Sequence, residues 1–348
     1  MFGVLFDKKM LFCTTLSLFA SGCTGAGYNG PVSDHFNGKR FFNQQDARHE
    51  RPAVLSLLKW MWQRNPKEWD AHVSHPQGLP PPQKVAAGHV RITPVGHATV
   101  LIQMGAVNVL TDPIWSERCS AVQFIGPKRV RPPAIAFEHL PPIHVVAISH
   151  NHYDHLDLPT LRRLEQKHRP VFVVPLGNGQ LLRDQGIKRV QELDWWRGMW
   201  LHQGLHVQAV PAQHWSARMP PFDYNKALWA GFVFKQNDRA IYFAGDTGMG
   251  PHFQQIHQRV GAVDIALLPI GAFKPRWIMQ SNHLSPQEAV AAARILQAKV
   301  SIPIHYGVFA LGDDGQHEPL QVLKQHLDNM SEAPRFEIPE FGEGFLLN

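Results

Sequence analysis

From about residue 88 onward the chain repeats one pattern. Four or five apolar, mostly β-branched residues are followed by a polar or glycine-containing turn. Runs of this length between turn residues read as strands with both faces buried. They fall at 90–93, 99–103, 107–110, 145–149, 171–174, 207–210, 231–234, 240–244, 265–269 and 300–303. Two helices stand out between them. One covers 158–167, with Asp157 as its N-cap and Pro159 in its first turn. The other opens on Ser285-Pro286-Gln287-Glu288, a capping box with proline at N1, and runs into AVAAARILQAK. The early strands are close enough for hairpins, and the later ones alternate with helices in both halves. That order predicts an α/β fold of two sheets packed face to face with helices outside.

Upstream the pattern changes. LSLLKWMWQRNPKEW, at 55–69, predicts a helix packed on the domain, with a helix lying on lipid headgroups as the alternative. Pro80-Pro81-Pro82 then marks the start of the main domain, 88–348. Residues 24–50 are polar and rich in Gly and Asn, and read as a tether, so 24–87 forms a tether with an N-terminal extension. In residues 1–23, Lys8 and Lys9 precede an apolar stretch at 10–19 that is short for a bilayer span. Ala20-Ser21-Gly22-Cys23 follows, small residues before a cysteine. This segment resembles a bacterial lipoprotein signal, which implies cleavage before Cys23 and lipidation of Cys23. Thr24 in place of Asp implies the outer membrane, facing the periplasm. A simple transmembrane anchor is the alternative.

Composition narrows the picture in three places. The chain has 348 residues, 44% of them apolar and only 18% charged, so it can bury a large core and does not read as disordered. A net charge of +6 and a pI near 9.3 favour anionic partners. No RNP-like aromatic signature or long Lys/Arg run accompanies that charge, which argues against nucleic acid. If Cys13 leaves with the signal and Cys23 carries lipid, Cys119 remains alone and no intramolecular disulfide can form.

The candidate chemistry is in ISHNHYDHLD, residues 148–157, which places three histidines and two aspartates at the end of an apolar strand. In extended chain, residues two apart face one side, so His150 and His152 can address one ion. Asp154 and His155 follow, where they can address a second. Imidazole and carboxylate without thiolate suit Zn²⁺, Mn²⁺ or Fe rather than a structural zinc finger. Four ligands cannot complete two ions, so more are required at later strand ends. His214 in VPAQHW, Asp246 in FAGDTG and His305 in IPIHYG occupy such positions, and Asp246 could bridge.

The spaced set His150, His152, Asp154, His155, His214, Asp246 and His305 resembles the metallo-β-lactamase superfamily. That resemblance implies an αβ/βα sandwich of two mixed sheets with a dinuclear metal site at one edge. VGHATVLIQ, LTDPIWSERCS, IGPKRVRPP, ELDWW, PAQHW, PIGAFKPRW and IHYGVF, in this order from about residue 90 to 310, are more specific. They resemble the N-acylphosphatidylethanolamine-hydrolysing phospholipase D family. The resemblance implies one ion held by His150, His152 and His214, and a second by Asp154, His155 and His305, with Asp246 bridging. It puts Asp112 behind the ligands, fixing an imidazole, and His283 near the reacting group as an orienting or protonating residue. Phe124 and Phe273 stand where tyrosine is expected, and Tyr306 where tryptophan is expected, which bears on lipid contacts rather than on the metals.

Two ions about 3.5–4 Å apart, Zn²⁺ by expectation, can share a hydroxide near neutral pH and neutralise phosphodiester oxygens. Attack at phosphorus on the headgroup side would release an N-acylethanolamine and leave phosphatidic acid, so no serine or cysteine nucleophile is needed. Lys128, Arg129 and Arg131 form a basic cluster that could receive phosphate or an anionic membrane, with a solvated face as the equal alternative. The rival readings are a metallohydrolase of a lactone or cyclic phosphodiester and a non-enzymatic metal-binding envelope lipoprotein.

Overall fold

The computed structural model describes residues 27–44, 59–60, 62–64, 66–74 and 79–348. The signal-like segment and Cys23 lie outside the described residues. Thirteen strands, among the described residues, form two sheets: β1 (Val90–Gly96), β2 (Thr99–Met104), β3 (Val107–Thr111), β4 (Val145–Ala147), β5 (Val171–Pro175), β6 (Val190–Leu193), β7 (Gly198–Trp200), β8 (His206–Val210), β9 (Gly231–Gln236), β10 (Arg239–Phe243), β11 (Ile265–Pro269), β12 (Val300–Ile304) and β13 (Phe345–Leu347). One sheet has the order β13-β1-β2-β3-β4-β5-β6, the other β12-β11-β10-β9-β8-β7. Both are mixed, since hairpins give the antiparallel pairs and helical crossovers the parallel ones.

Period-two alternation sorts each strand between two cores. In β10, Ile241 and Phe243 face the inter-sheet core, while Ala240 and Tyr242 face the helices outside. In β2, Val100 and Ile102 point inward and Leu101 points out, towards Leu161 and Leu164 of α1 (Leu158–His168). The other outer face carries α3 (His252–Val260), α5 (Pro286–Ile295) and α6 (Glu318–Asp328), with α2 (Gly179–Arg183) beside the first sheet and α4 (Arg276–Met279) in a loop. The layers are therefore helix, sheet, sheet, helix. Among the described residues, no helix is long and apolar enough to cross a membrane.

All ten expected strands are present. The three unforeseen ones, β6, β7 and β13, are sheet-edge strands of three or four residues, none with an apolar run of four. The capping box is complete: Glu288 N donates to Ser285 Oγ and Ser285 N to the Glu288 carboxylate. Asp157 does stand at the N-cap of α1, but its carboxylate makes no capping bond to the helix backbone. It accepts instead from the Ser116 hydroxyl (2.8 Å) and the Thr160 hydroxyl (2.5 Å), which pins the loop after β3 to the helix.

The expected tether requires correction. Residues 27–44 are docked, with Phe36 and Phe41 buried in the inter-sheet core and Tyr28 packed against it. Burying a Phe is worth roughly 1.5–3 kcal/mol, enough to hold a short polar segment in place. The described part of 55–69 is also docked. The Trp60 indole donates to Asp313 (2.7 Å), the Trp69 indole donates to Asp314 O (3.0 Å), and Lys67 pairs with Glu318 (2.8 Å).

Candidate metal centre

The sheets run so that β1, β3, β4, β8, β10 and β12 all end at one edge. The loops leaving those ends carry His97 (β1), Asp112 (β3), His150 to His155 (β4), His214 (β8), Asp246 (β10) and His305 (β12). His283 arrives on the loop after β11. The chain reaches this edge at some conformational cost. His97, Asp112 and His305 all have positive φ (57°, 35° and 62°), a region that costs a non-glycine residue about 1–3 kcal/mol. Gly245, at φ +61°, lets FAGD pass where a Cβ would meet the Ser149 side chain at 2.5 Å.

Two buried clusters result. His150, His152 and His214 converge within 4.8 Å, and so do His97, Asp154, His155 and His305. His150 Nε2 lies 2.8 Å from His152 Nδ1, which lies 3.3 Å from His214 Nε2. Asp246 Oδ2 sits between the clusters, 3.2 Å from both His155 Nε2 and His305 Nε2, and 3.8 Å from His214 Nε2. Asp154 Oδ2 stands 3.1 Å from His155 Nε2 and 3.4 Å from His305 Nε2.

The outer partners decide which nitrogens are bare. Ser149 donates its hydroxyl to Asp112 (2.6 Å), so its oxygen receives His150 Nδ1–H (2.9 Å). His155 Nδ1–H donates to Asp112 (2.6 Å), and His214 Nδ1–H to the Asn282 carbonyl (2.9 Å). In all three rings Nδ1 is engaged on the outside and Nε2 faces inward, the side a metal-binding imidazole presents. Buried His155 Nε2, His305 Nε2 and Asp246 Oδ1 have no hydrogen-bond partner. Such atoms are costly to bury unpaired, and a divalent cation satisfies them. The residues present therefore fit a metal.

The electrostatics agree. Burial, reinforced by neighbouring imidazoles, holds His150 well below its ordinary range. Burial does the same to His214, and lowers His152 and His283 to about 4. Burial also opposes charge on His155, but Asp246, Asp154 and Asp112 outweigh it and hold that ring well above its usual value. Asp154 and Asp246 are likewise held well below the carboxylate range, chiefly by His155, against the effect of burial. Two ionised carboxylates in a dry pocket require positive charge beside them.

Every ligand expected from the sequence is at this edge. Asp112 is fully buried and holds His155 directly and His150 through Ser149. His283 Nδ1 lies 3.8 Å from Asp246 Oδ2 at the rim. His97 was not foreseen, although its Nε2 lies 2.8 Å from Asp154. The only signal for it was a histidine in the two-residue turn between the first strand runs, in VGHATV. Arg218 was also missed. Its guanidinium donates to the carbonyls of Asn151 (3.0 Å) and Leu156 (2.9 Å) and stacks on Tyr153, stapling the histidine loop to the His214 loop.

The basic cluster does not form. Arg129 turns inward and donates to the carbonyls of Ser116, Arg131 and Ile114, because the loop after β3 needs those acceptors satisfied. Arg131 stacks on Phe341, and exposed Lys128 pairs with Glu117 at 3.5 Å. Cys119 is a free, buried thiol, pushed up by burial and then by the charge of Asp154, which leaves it unreactive.

Comparison with known proteins is consistent with this geometry. The family described as "Beta-lactamase superfamily domain" matches residues 107–306. The chain is 38% identical over 245 residues to N-acyl-phosphatidylethanolamine-hydrolyzing phospholipase D 1 of Caenorhabditis elegans, covering 67% of this chain and 68% of that protein. It is 33% identical over 243 residues to the mitochondrial N-acyl-phosphatidylethanolamine-hydrolyzing phospholipase D of Saccharomyces cerevisiae, 68% of this chain and about half (52%) of that one. In fold it is similar to Igni18, a metallo hydrolase of Ignicoccus hospitalis, with a TM-score of 0.56 at 21% identity over 75% of this chain and 99% of that one.

Proposed function

The chain belongs to the β-lactamase superfamily and is a metal-dependent hydrolase, and on that premise we propose that it cleaves a phosphodiester of a membrane lipid. The substrate we assign is N-acylphosphatidylethanolamine, and the metals are two Zn²⁺, with Mn²⁺ or Fe as alternatives. One observation carries the reading. Two His/Asp clusters share Asp246 in a chain 38% identical to a phospholipase D of that specificity.

Each side chain has a task. His150, His152 and His214 would hold one cation, and Asp154, His155 and His305 the other, with Asp246 facing both. Bound there, the cations supply charge to the phosphodiester oxygens and lower the pKa of the attacking water. Asp112 keeps the His155 and His150 rings in the tautomer that presents Nε2. His97 hydrogen-bonds Asp154 and orients it. His283, 3.8 Å from Asp246 at the rim and held neutral by burial, would orient the reacting group. Water adds at phosphorus, the bond to the ethanolamine oxygen breaks, and that oxygen takes a proton. The products are N-acylethanolamine and phosphatidic acid.

Exposed apolar side chains support a lipid surface as the partner. Phe124, Phe222 and Trp277 are 80%, 67% and 47% exposed, on the loops after β3, β8 and β11 that also frame the metal centre. Lipidation of Cys23 would hold that edge near a bilayer, by this reading the outer membrane on its periplasmic side, and would show as an acyl increment in the intact mass. To test the activity, Zn²⁺-loaded protein is incubated with N-acylphosphatidylethanolamine vesicles and both products are followed by mass spectrometry. The reading expects both from the parent and neither from Asp154→Asn. Metal uptake without either product would transfer the substrate to a lactone or another ester.

A further inference from the structure

His214 is held from two directions, and one of them comes from outside the matched family residues 107–306. The Asn282 carbonyl takes the ring proton. Asn43, in the docked N-terminal strap of residues 27–44, takes the backbone. Asn43 Oδ1 accepts from His214 N (3.1 Å) and from the Trp229 indole (3.1 Å), and Asn43 Nδ2 donates to His214 O (3.0 Å). The amide orientation is fixed by chemistry, because a backbone N–H and an indole N–H can only donate while a backbone carbonyl can only accept. One side chain thus closes both backbone groups of a ligand residue and ties them to a buried tryptophan.

The strap is itself fastened around that loop. Tyr28 N donates to Lys226 O (3.0 Å) and Phe41 N to Asn225 O (2.8 Å). Asn225 returns a bond to Phe41 O (3.1 Å) and accepts from Ser216 N (3.1 Å), two residues beyond His214. The loop after β8 has no regular secondary structure to fix His214. Its rigidity has to come from such contacts, since a ligand must be held to within about 0.5 Å of its working position.

We propose that Asn43 is a positioning residue of the metal centre, through which the N-terminal strap sets His214 and hence the affinity and geometry of the imidazole half. The proposal rests on His214 being a metal ligand. It separates two roles of the strap: Phe36 and Phe41 supply packing, and Asn43 supplies geometry.

The test uses the full chain loaded with Co²⁺, read by its visible absorption spectrum and by chelator competition. In Asn43→Ala one of two bound Co²⁺ should weaken about 10–100-fold, the size of loss typical when a ligand's supporting partner is removed. Its absorption band should change while the other ion keeps its affinity. Leu323→Ala, a core truncation on α6 at the far face, should lower the thermal midpoint and leave the spectrum as in the parent. An Asn43→Ala protein with the parent spectrum and affinity overturns the proposal. So does a Leu323→Ala protein with the same metal loss, because the effect would then be general destabilisation. A parent that takes up no Co²⁺ overturns the metal-centre reading itself, and the role of Asn43 with it.

Discussion

The two halves of the candidate metal centre are built from different chemistry and held by different parts of the chain. The imidazole half, His150, His152 and His214, contributes no charge of its own. Its rings lean on Ser149 and on Asn282, and the His214 backbone leans on the strap through Asn43. The carboxylate half carries Asp154 among His97, His155 and His305, and leans on Asp112 and on the β1–β2 turn. Neutral ligands leave a cation's charge to be compensated elsewhere, whereas Asp154 compensates it on the spot. On the proposed two-ion reading, the difference makes Asp246, facing both, the residue that supplies the charge the imidazole half lacks.

If so, Asp246→Asn should have the largest effect. It keeps the shape and removes the shared charge, and both halves should lose metal. Hydrolysis should fall more than about 100-fold, beyond what loss of a supporting partner brings, as measured by metal content and product release together. Metal loss from one half alone would show that Asp246 belongs to that half and does not bridge.

A smaller effect sharpens the contrast. Asp112→Ala touches both halves, through His155 and through Ser149 to His150, and should weaken both ions by about 10–100-fold. His97→Gln should weaken only the ion beside Asp154, by about 10-fold, because the His97 ring hydrogen-bonds that carboxylate and its backbone carbonyl, which the substitution keeps, accepts from His305 N in the same half. Competition against chelators of graded strength separates the two ions. Equal losses from both in His97→Gln would contradict the division.

The smallest effect concerns the strap. His35 stacks on Trp195 and pairs with Asp194 (2.8 Å) and Asp34 (2.6 Å). Burial lowers its pKa, but the two carboxylates outweigh burial and raise it. A raised folded pKa gives stability that is whole below the unfolded value, about 6.5, and is lost as pH rises through the folded value. With Asp34 mostly exposed, the contribution is about 0–1 kcal/mol. The gap in thermal midpoint between the parent and His35→Gln should therefore close between pH 6 and pH 9. A gap that widens would reverse the sign.

Much of this was legible in the sequence. Apolar runs of strand length located every central strand, because a strand buried on both faces must be continuously apolar. The edge strands β6, β7 and β13 are too short or too exposed to leave that mark, while the buried edge strand β12 does leave it. Ligands at strand ends were readable for the same reason: HNHYDHLD, His214, Asp246 and His305 each follow an apolar run, so the fold's own punctuation points to them. His97 offered one ring in a short turn. Asn43 and Arg218 offered nothing, since a side chain that acts through another residue's backbone has no spacing rule.

The sequence by itself marked which residues could bind metal, because the ends of apolar runs and side-chain periodicity are local properties; that they share one edge was implied by the family resemblance and follows from the sheet pairing. Only the tertiary structure decided which nitrogens are bare and that the supposed tether is a docked strap. It also showed that Arg129 is spent on carbonyls instead of an anion. Those outcomes depend on partners brought in by other loops, from Asp112 and Asn282 beside the histidines to the strap 171 residues before His214, and the orphan donors and acceptors of one loop are satisfied by whatever the fold brings beside them.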